Sequence, residues 1–593
     1  MRMRVADYIA QLLKENGIED VFSVVGGGAM YLNDAFGNTE GIRCTYNHHE
    51  QASAIAAEGY ARINNKIAAV CVTTGPGGTN AMTGVLCGYQ DNIPMLIISG
   101  QVRLNTTVKS TGLNLRQFGE QEYTIVDSVK PMTKYAVMVE DPKKIKYYIE
   151  KALYIAQHGR KGPCWLDIPL DVQGAIIETE SLEGYYPEEK KTKCEYINEI
   201  IKMIKKSNCP VILAGSSIRT SGVRDKFIKL IQKLNIPVVA ATSVADVMNL
   251  ENDLYFGNFG VFGGRAGNFI VQNADLVISL GCRLSFKQTG FNFENFAKKS
   301  KIIAVDVDNN ELLKDTIKID FPINADIVDV IEELYKSEIV FNNNEWIDYC
   351  RRLKAKYPIY QDKFEKSTSV NPYYFINKLN NRLSDNSIVV VGNSTSSVCM
   401  LQMGVQKEKQ RLFGNVNCGT MGYDVPAAIG AARASSQEVF CVTGDGSIQM
   451  NIQELQTIVH NNIPVKIIIF NNGGYQAIVQ SQTNFFKGRL SGCTKTSGIS
   501  TPDMKKIAEA YGIPYIKVED NLCVENGIDK LLNIKGYAIC EVIQDTEQII
   551  EPKVKSKEKE DGTIYSPPID DLYPFLSNKE YEEAQYKGGN ACE

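Results

Sequence analysis

Two short apolar runs, Val439-Phe440-Cys441-Val442 and Ile467-Ile468-Ile469-Phe470, each stop at a polar, glycine-bearing turn. Neither run alternates with polar residues, the pattern of a strand buried on both faces of a parallel sheet. Residues 453–461 between them read as a polar-faced crossover helix, which makes the strands parallel neighbours and brings both turns to one sheet edge. In open parallel sheets ligands collect at that edge, outside the carboxyl ends of the strands. Strand-like and helical segments alternate along the whole chain, so the expected fold class is α/β, with doubly wound parallel sheets.

The two turns carry complementary chemistry. The first is Gly444-Asp445-Gly446-Ser447 and the second Asn471-Asn472-Gly473-Gly474, with Asp445 and Asn472 27 positions apart. Mg²⁺ prefers octahedral oxygen coordination, with few protein ligands beside phosphates and water. The Asp445 carboxylate, the Asn472 amide and a backbone carbonyl at Gly474 form such a set, and Gly446 and Ser447 bring backbone N–H groups and a hydroxyl to a diphosphate. Either turn alone is common punctuation. Together the pair resembles the binding motif of the thiamin diphosphate enzymes, which opens with Gly-Asp-Gly and closes with Asn-Asn.

That resemblance implies a glutamate near the N-terminus, and Asn47-His48-His49-Glu50-Gln51-Ala52-Ser53-Ala54 leads into a matching Ala-rich stretch. Read locally, Glu50 is an acidic residue at the start of a helix. Read through the resemblance, it is the catalytic carboxylate that bonds the aminopyrimidine ring and helps form the thiazolium ylid, with burial raising its pKa. His48 and His49 are read as packing residues. Within the family the likeness is greatest to acetohydroxyacid synthase. It is carried by Thr74-Gly75-Pro76-Gly77-Gly78-Thr79-Asn80, by Gly159-Arg160-Lys161-Gly162-Pro163 and by Gly419-Thr420-Met421-Gly422-Tyr423-Asp424. It implies thiamin diphosphate contacts at Gly75, Pro76, Asn80, Gly392, Asn393, Gly419 and Met421, besides Gly444, Asp445, Gly446, Ser447 and Asn472. Met421 takes the place of the apolar wedge between the cofactor rings.

The family's domain order divides this chain into a pyrimidine-binding domain at 1–177, a charged linker at 178–193 and a central domain at 194–345. A diphosphate-binding domain at 368–546 and a tail at 547–593 follow. The resemblance implies a structural FAD in the central domain, touched by Arg160, Gly263, Gly264, Arg283, Asp306 and Asp326. Where the family has Asp-Asp-Arg, this chain has Ser285-Phe286-Lys287. Further departures fall at the second-substrate pocket: Ser481 stands for the family's tryptophan, Ala477 for a methionine, and Glu120 for a phenylalanine beside Gln121, a candidate for positioning the donor carboxylate. Lost apolar bulk opens the pocket, and added polar groups suit an acceptor that can hydrogen-bond.

The expected function is a carboligase that decarboxylates pyruvate and transfers a two-carbon unit to a larger polar carbonyl acceptor, such as a nucleotide-linked ketosugar. Acetolactate synthesis is the alternative; a flavin-dependent 2-keto acid oxidase and a non-catalytic regulatory homologue are further readings. The segment 565–575 is read as part of that acceptor site or as a cover over an apolar groove. A net charge of −5 gives no electrostatic reason for a nucleic acid or membrane partner. Fifteen cysteines without a Cys-x-x-Cys pair and only four histidines argue against a zinc site or disulfide framework, and a cytoplasmic location is expected. The family's architecture implies a homodimer or homotetramer, with Glu50 of one chain completing the site of another.

Overall fold

The computed structural model describes residues 1–188, 196–558 and 561–588. It contains three six-stranded sheets, each parallel throughout and flanked by helices. In spatial order the first sheet is Arg43–Tyr46, Asp20–Ser23, Ala69–Val72, Met95–Gln101, Pro163–Pro169 and Tyr135–Met138. The third is Arg411–Gly414, Ile388–Val391, Val439–Gly444, Val465–Asn471, Ala538–Ile543 and Tyr515–Val518. Numbered by sequence within each domain, both run 2-1-3-4-6-5. The middle sheet, Tyr255–Phe259, Val238–Ala241, Pro210–Ala214, Leu276–Leu280, Lys301–Asp306 and Phe321–Asn324, instead runs 3-2-1-4-5-6, the order of dinucleotide-binding domains.

The two apolar runs behave as their composition dictates. Val439–Gly444 and Val465–Asn471 lie parallel, with Val439 opposite Val465 and Gly444 opposite Phe470, and helix Glu454–His460 crosses between them. First and third domains meet through helices Glu50–Asn64 and Asp424–Ser435. Glycine makes their crossing close: a Cβ on Gly59 would lie 2.4 Å from the Ala427 carbonyl oxygen, and one on Gly430 would lie 1.8 Å from that of Ala56. Across this seam runs a buried polar network. Arg62 pairs with Glu58 and Asp91, Tyr423 donates to Glu58 at 2.6 Å, and Asn415 donates to Asp91 at 3.2 Å.

The central core reaches past 345, because helix Asn344–Lys356 buries Trp346, Cys350 and Leu353 in it. Ile569 and Ala584 of the tail are buried in the same core. The tail therefore docks over the central domain, with Asn268 donating to the Ile569 carbonyl at 2.6 Å and the Val554 N–H to that of Val261 at 2.8 Å. Residues 189–195, where the expected linker ends and the central block begins at Cys194, lie outside the described residues. Among the described residues no helix is long and apolar enough to cross a membrane.

Candidate active site

At the carboxyl edge of the third sheet opens a cavity of about 570 Å³, bordered by the turns that follow Ile388–Val391, Val439–Gly444 and Val465–Asn471. Asn393, Gly419, Met421, Gly444, Asp445, Gly446, Ser447, Asn472, Gly474 and Ala477 all border it, which brings together most of the sequence-derived diphosphate set. Asp445 Oδ2 and Asn472 Oδ1 are buried without a hydrogen-bond donor. Two hard oxygens left bare in one cavity fit a divalent cation, since buried polar atoms are otherwise paired. Burial pushes the Asp445 carboxyl up to about 6, against the pull of the backbone N–H groups around it.

Local structure explains the glycines here. A Cβ on Gly446 would lie 2.3 Å from the Tyr475 ring, and Gly474, at φ +147°, packs where a Cβ would meet the Cys493 carbonyl oxygen at 2.2 Å. Gly392 does not border this cavity but lies against Asp424, whose Oδ2 a Cβ would meet at 2.2 Å. Ser447 commits its hydroxyl elsewhere: it accepts from the Gly422 N–H at 2.9 Å and donates to Asp424 at 2.6 Å. It thereby fixes the turn that carries Met421. Asn393 donates to the Gly419 carbonyl, on the other side of the same turn.

Glu50 opens its helix half-buried, accepting from Asn80 Nδ2 at 3.0 Å, with Gly77 close by. His49 caps that helix, its Nδ1 accepting from the Gln51 N–H at 3.1 Å, while His48 is exposed and donates its backbone N–H to Glu454 at 3.0 Å. Gly75, at φ +60°, lies under Gln121, whose carbonyl oxygen a Cβ would meet at 2.1 Å; Gln121 itself is exposed. Pro76 opens the helix Pro76–Asp91. None of the residues around the Asp445 cavity comes from positions 1–177. Glu50 therefore stands outside the Asp445 cavity of its own chain.

A second cleft lies at the carboxyl edge of the middle sheet, between Pro210–Ala214 and Leu276–Leu280, where the strand order reverses. Arg160, Lys161, Ser217, Arg283, Asp306 and Asp326 border it. Arg160 bonds Asp308 at 2.7 Å and Glu311 at 2.9 Å, and Arg283 bonds Glu311 at 3.0 Å. Burial raises the Asp306 carboxyl. The Ser217 hydroxyl is buried and unpartnered, and a Cβ on Gly281 would fall 1.7 Å from it. Gly263 and Gly264 stand apart from this cleft: Gly263 packs against the Phe259 backbone and Gly264 precedes the helix Arg265–Asn273.

Ala477 borders the active-site cavity from helix Gln476–Phe486, a helix with no buried residue. Ser481, one turn on, is exposed and bonds back to the Ala477 carbonyl at 3.0 Å. Three features escape sequence reasoning. Ile550 and Phe262 enter the wall of the cavity from the tail and the central domain. Glu454, buried, ties the third domain to Asn47 at 2.8 Å. The Glu58 network carried one legible sign, the i,i+4 spacing to Arg62.

Fold and site define a class, a three-domain α/β protein whose first and third sheets are wound alike and whose third domain carries a polar cavity that fits a divalent cation. The chain belongs to the thiamine pyrophosphate enzyme family: it matches the N-terminal TPP binding domain over residues 3–122, the central domain over 197–334 and the C-terminal TPP binding domain over 391–542. Among its relatives, it is 30% identical over 548 residues to the acetolactate synthase large subunit of Lactococcus lactis subsp. lactis, covering 91% of this chain and 93% of that protein. It is 31% identical to the acetolactate synthase large subunit of Haemophilus influenzae, over 90% of this chain and 93% of that one. With the acetolactate synthase isozyme 1 large subunit of Escherichia coli the identity is 29%, over 93% and 96%.

Proposed function

We propose that this acetolactate synthase-like enzyme decarboxylates pyruvate and joins the two-carbon unit to the carbonyl of a larger, polar acceptor such as a nucleotide-linked ketosugar. The observation that carries the reading is the wall made by helix Gln476–Phe486: the small Ala477 borders the cavity of about 570 Å³ beside Gln476 and Ile478, while Ser481, one turn on, is exposed outside that border, so no bulky side chain closes this side. A pocket for a second small keto acid gains from tight apolar walls, whereas this one suits an acceptor that extends outward.

Thiamin diphosphate, when bound, supplies the electron sink for decarboxylation. Asp445, Asn472 and the Gly474 carbonyl would hold Mg²⁺, and the backbone N–H groups of Gly446 and Ser447 would meet the diphosphate. Met421, stiffened by the Ser447 and Asn393 hydrogen bonds to its turn, would support the cofactor's bent form. Glu50 would share a proton with the pyrimidine ring nitrogen, and Asn80 Nδ2 aims its carboxylate. Gln121 would orient the donor carboxylate. In the central cleft the orphaned Ser217 hydroxyl, the Gly281 cradle and the carboxylates of Asp306 and Asp326 fit the hydroxyl-rich half of an adenine dinucleotide, here FAD in a structural role. Because Glu50 and the Asp445 cavity lie apart in one chain, the working unit is a homodimer or a larger homo-oligomer.

The relatives' names favour acetolactate synthesis from two pyruvates as the second reading. Mass spectrometry of products from protein given thiamin diphosphate, Mg²⁺ and pyruvate, with and without nucleotide-linked ketosugars, separates the two. A sugar that gains a two-carbon unit only in the full mixture is the expected result. Rapid acetolactate formation indifferent to sugar would overturn it.

A further inference from the structure

The tail passes the mouth of the active-site cavity before it docks on the central domain. Ile550 borders the cavity, Gln402 Nε2 holds the Pro552 carbonyl at 2.7 Å, and the Lys553 and Tyr573 backbones pair at 3.0 and 2.8 Å. Along this stretch every second residue is a lysine: Lys553, Lys555 and Lys557. In extended chain such residues share a face, about 7 Å apart.

Charge balance separates the three. Lys557 pairs with Asp571. Neither Lys553 nor Lys555 has a carboxylate within ion-pair distance among the described residues. Lys553 Nζ donates instead to Gln480 Oε1 at 3.2 Å, on the helix that carries Ala477, and Gln480 Nε2 is buried with no acceptor. Lys555 lies over the Tyr573 ring at 4.7 Å. Burial, then the like charge of Lys555 two residues on, lowers the Lys553 pKa, and neither ammonium has a counter-charge among the described residues. An ammonium has three donors, and a half-buried one is ordinarily paired. The orphaned Gln480 amide adds another donor at the same spot.

We infer that Lys553, Lys555 and the Gln480 amide form an anion subsite at the cavity mouth that takes the phosphate oxygens of a phosphate-bearing acceptor. The inference rests on the extended-acceptor reading above, and names the group that anchors such an acceptor outside the reacting centre. Lysine suits this task because it meets phosphate as a point charge from a flexible stem. The Tyr573 ring beside Lys555 offers a flat apolar surface next to the phosphates.

The test is calorimetric titration of uridine diphosphate, and in parallel of inorganic diphosphate, into the full chain preloaded with thiamin diphosphate, Mg²⁺ and FAD, so that the cofactor sites are filled. One site per chain is expected, with affinity falling by about tenfold or more in the Lys553→Gln/Lys555→Gln double variant. Lys553→Arg/Lys555→Arg should restore it, and Lys579→Gln, which removes an exposed lysine elsewhere on the tail, should match wild type. Absence of binding to wild type, or equal binding by the double glutamine variant, would overturn the inference. In turnover, Lys553→Gln should raise the acceptor KM more than it lowers kcat. Lysine-dependent binding without two-carbon transfer to any ketosugar would remove the acceptor reading and keep the anion site. Transfer with an acceptor KM indifferent to both lysines would do the reverse.

Discussion

Asp445 and Asn472 each leave one buried oxygen bare at the same cavity, and that defect in hydrogen bonding is the clearest functional statement single residues make here. Without metal the carboxylate is a liability: its pKa stands at about 6, above the ordinary 3.8, so the folded state binds the proton more tightly than the unfolded chain. Its contribution to stability is therefore full below pH 3.8 and lost as pH rises through 6. Asp445→Asn should melt at or above wild type at pH 8 in chelator, yet lose the stabilisation that Mg²⁺ with thiamin diphosphate gives wild type. Thermal melts with and without both ligands read this, and an unaltered Mg²⁺ response in the variant would exclude the assignment. Asp167 poses the same physics farther from the chemistry. Buried, with its pKa raised to about 7 against hydrogen bonds from Ser99 and Gln101, it holds the Gln101 side chain that accepts from Thr74 and donates to the Tyr123 carbonyl. Its stabilisation is lost between pH 3.8 and 7, a change of up to about 4 kcal/mol. Asp167→Asn should accordingly flatten the fall in Tm between pH 5 and pH 8; a slope equal to wild type would show that the group is not protonated in the fold.

At the scale of elements, helix Gln476–Phe486 borders the cavity through Gln476, Ala477 and Ile478, and no residue of it is buried. Ser481→Trp should fold normally because position 481 is exposed, and should raise the KM for a bulky acceptor by about tenfold while pyruvate decarboxylation persists. Steady-state kinetics with a large and a small acceptor check it, and equal effects on both would dismiss the pocket argument. The strands around this helix were legible in the sequence because a strand buried on both faces must be continuously apolar, as Ile467 to Phe470 are, and because Gly-Asp-Gly and Asn-Asn-Gly turns mark where such strands stop. The tail was less legible. Its order comes from Ile569 and Ala584 entering a core built by residues more than two hundred positions earlier, and neither periodicity nor turn chemistry near residue 569 announces that partner. The Glu58–Arg62–Asp91 network was only partly legible for a related reason: the i,i+4 spacing of Glu58 and Arg62 marks a pair, but its burial depends on the opposing helix Asp424–Ser435.

For the whole molecule, the question is what stands over the Asp445 cavity. Within one chain helix Glu50–Asn64 is locked against Asp424–Ser435 by glycine contacts too close for any other residue, and by the Glu454 bonds to Asn47 and His48. Glu50 cannot swing to the cavity without breaking that seam. Meanwhile Phe118, three residues before Gln121, and Phe485 and Phe486, at the end of the helix that carries Ala477, are exposed, 55%, 65% and 52% respectively, apolar surface of the kind a second copy would cover. A two-fold pair would let each chain lend its Glu50 to the other's cavity. The consequence is a complementation that no single-chain site can mimic. Glu50→Gln and Asp445→Asn proteins, each nearly inactive alone, should on mixing and reassembly give one intact site in each mixed dimer, hence about a quarter of wild-type turnover for random pairing. Sedimentation should show the active species to be at least dimeric. If mixing restores nothing although mixed dimers form, both groups act within one chain and the seam between its first and third domains must open during turnover.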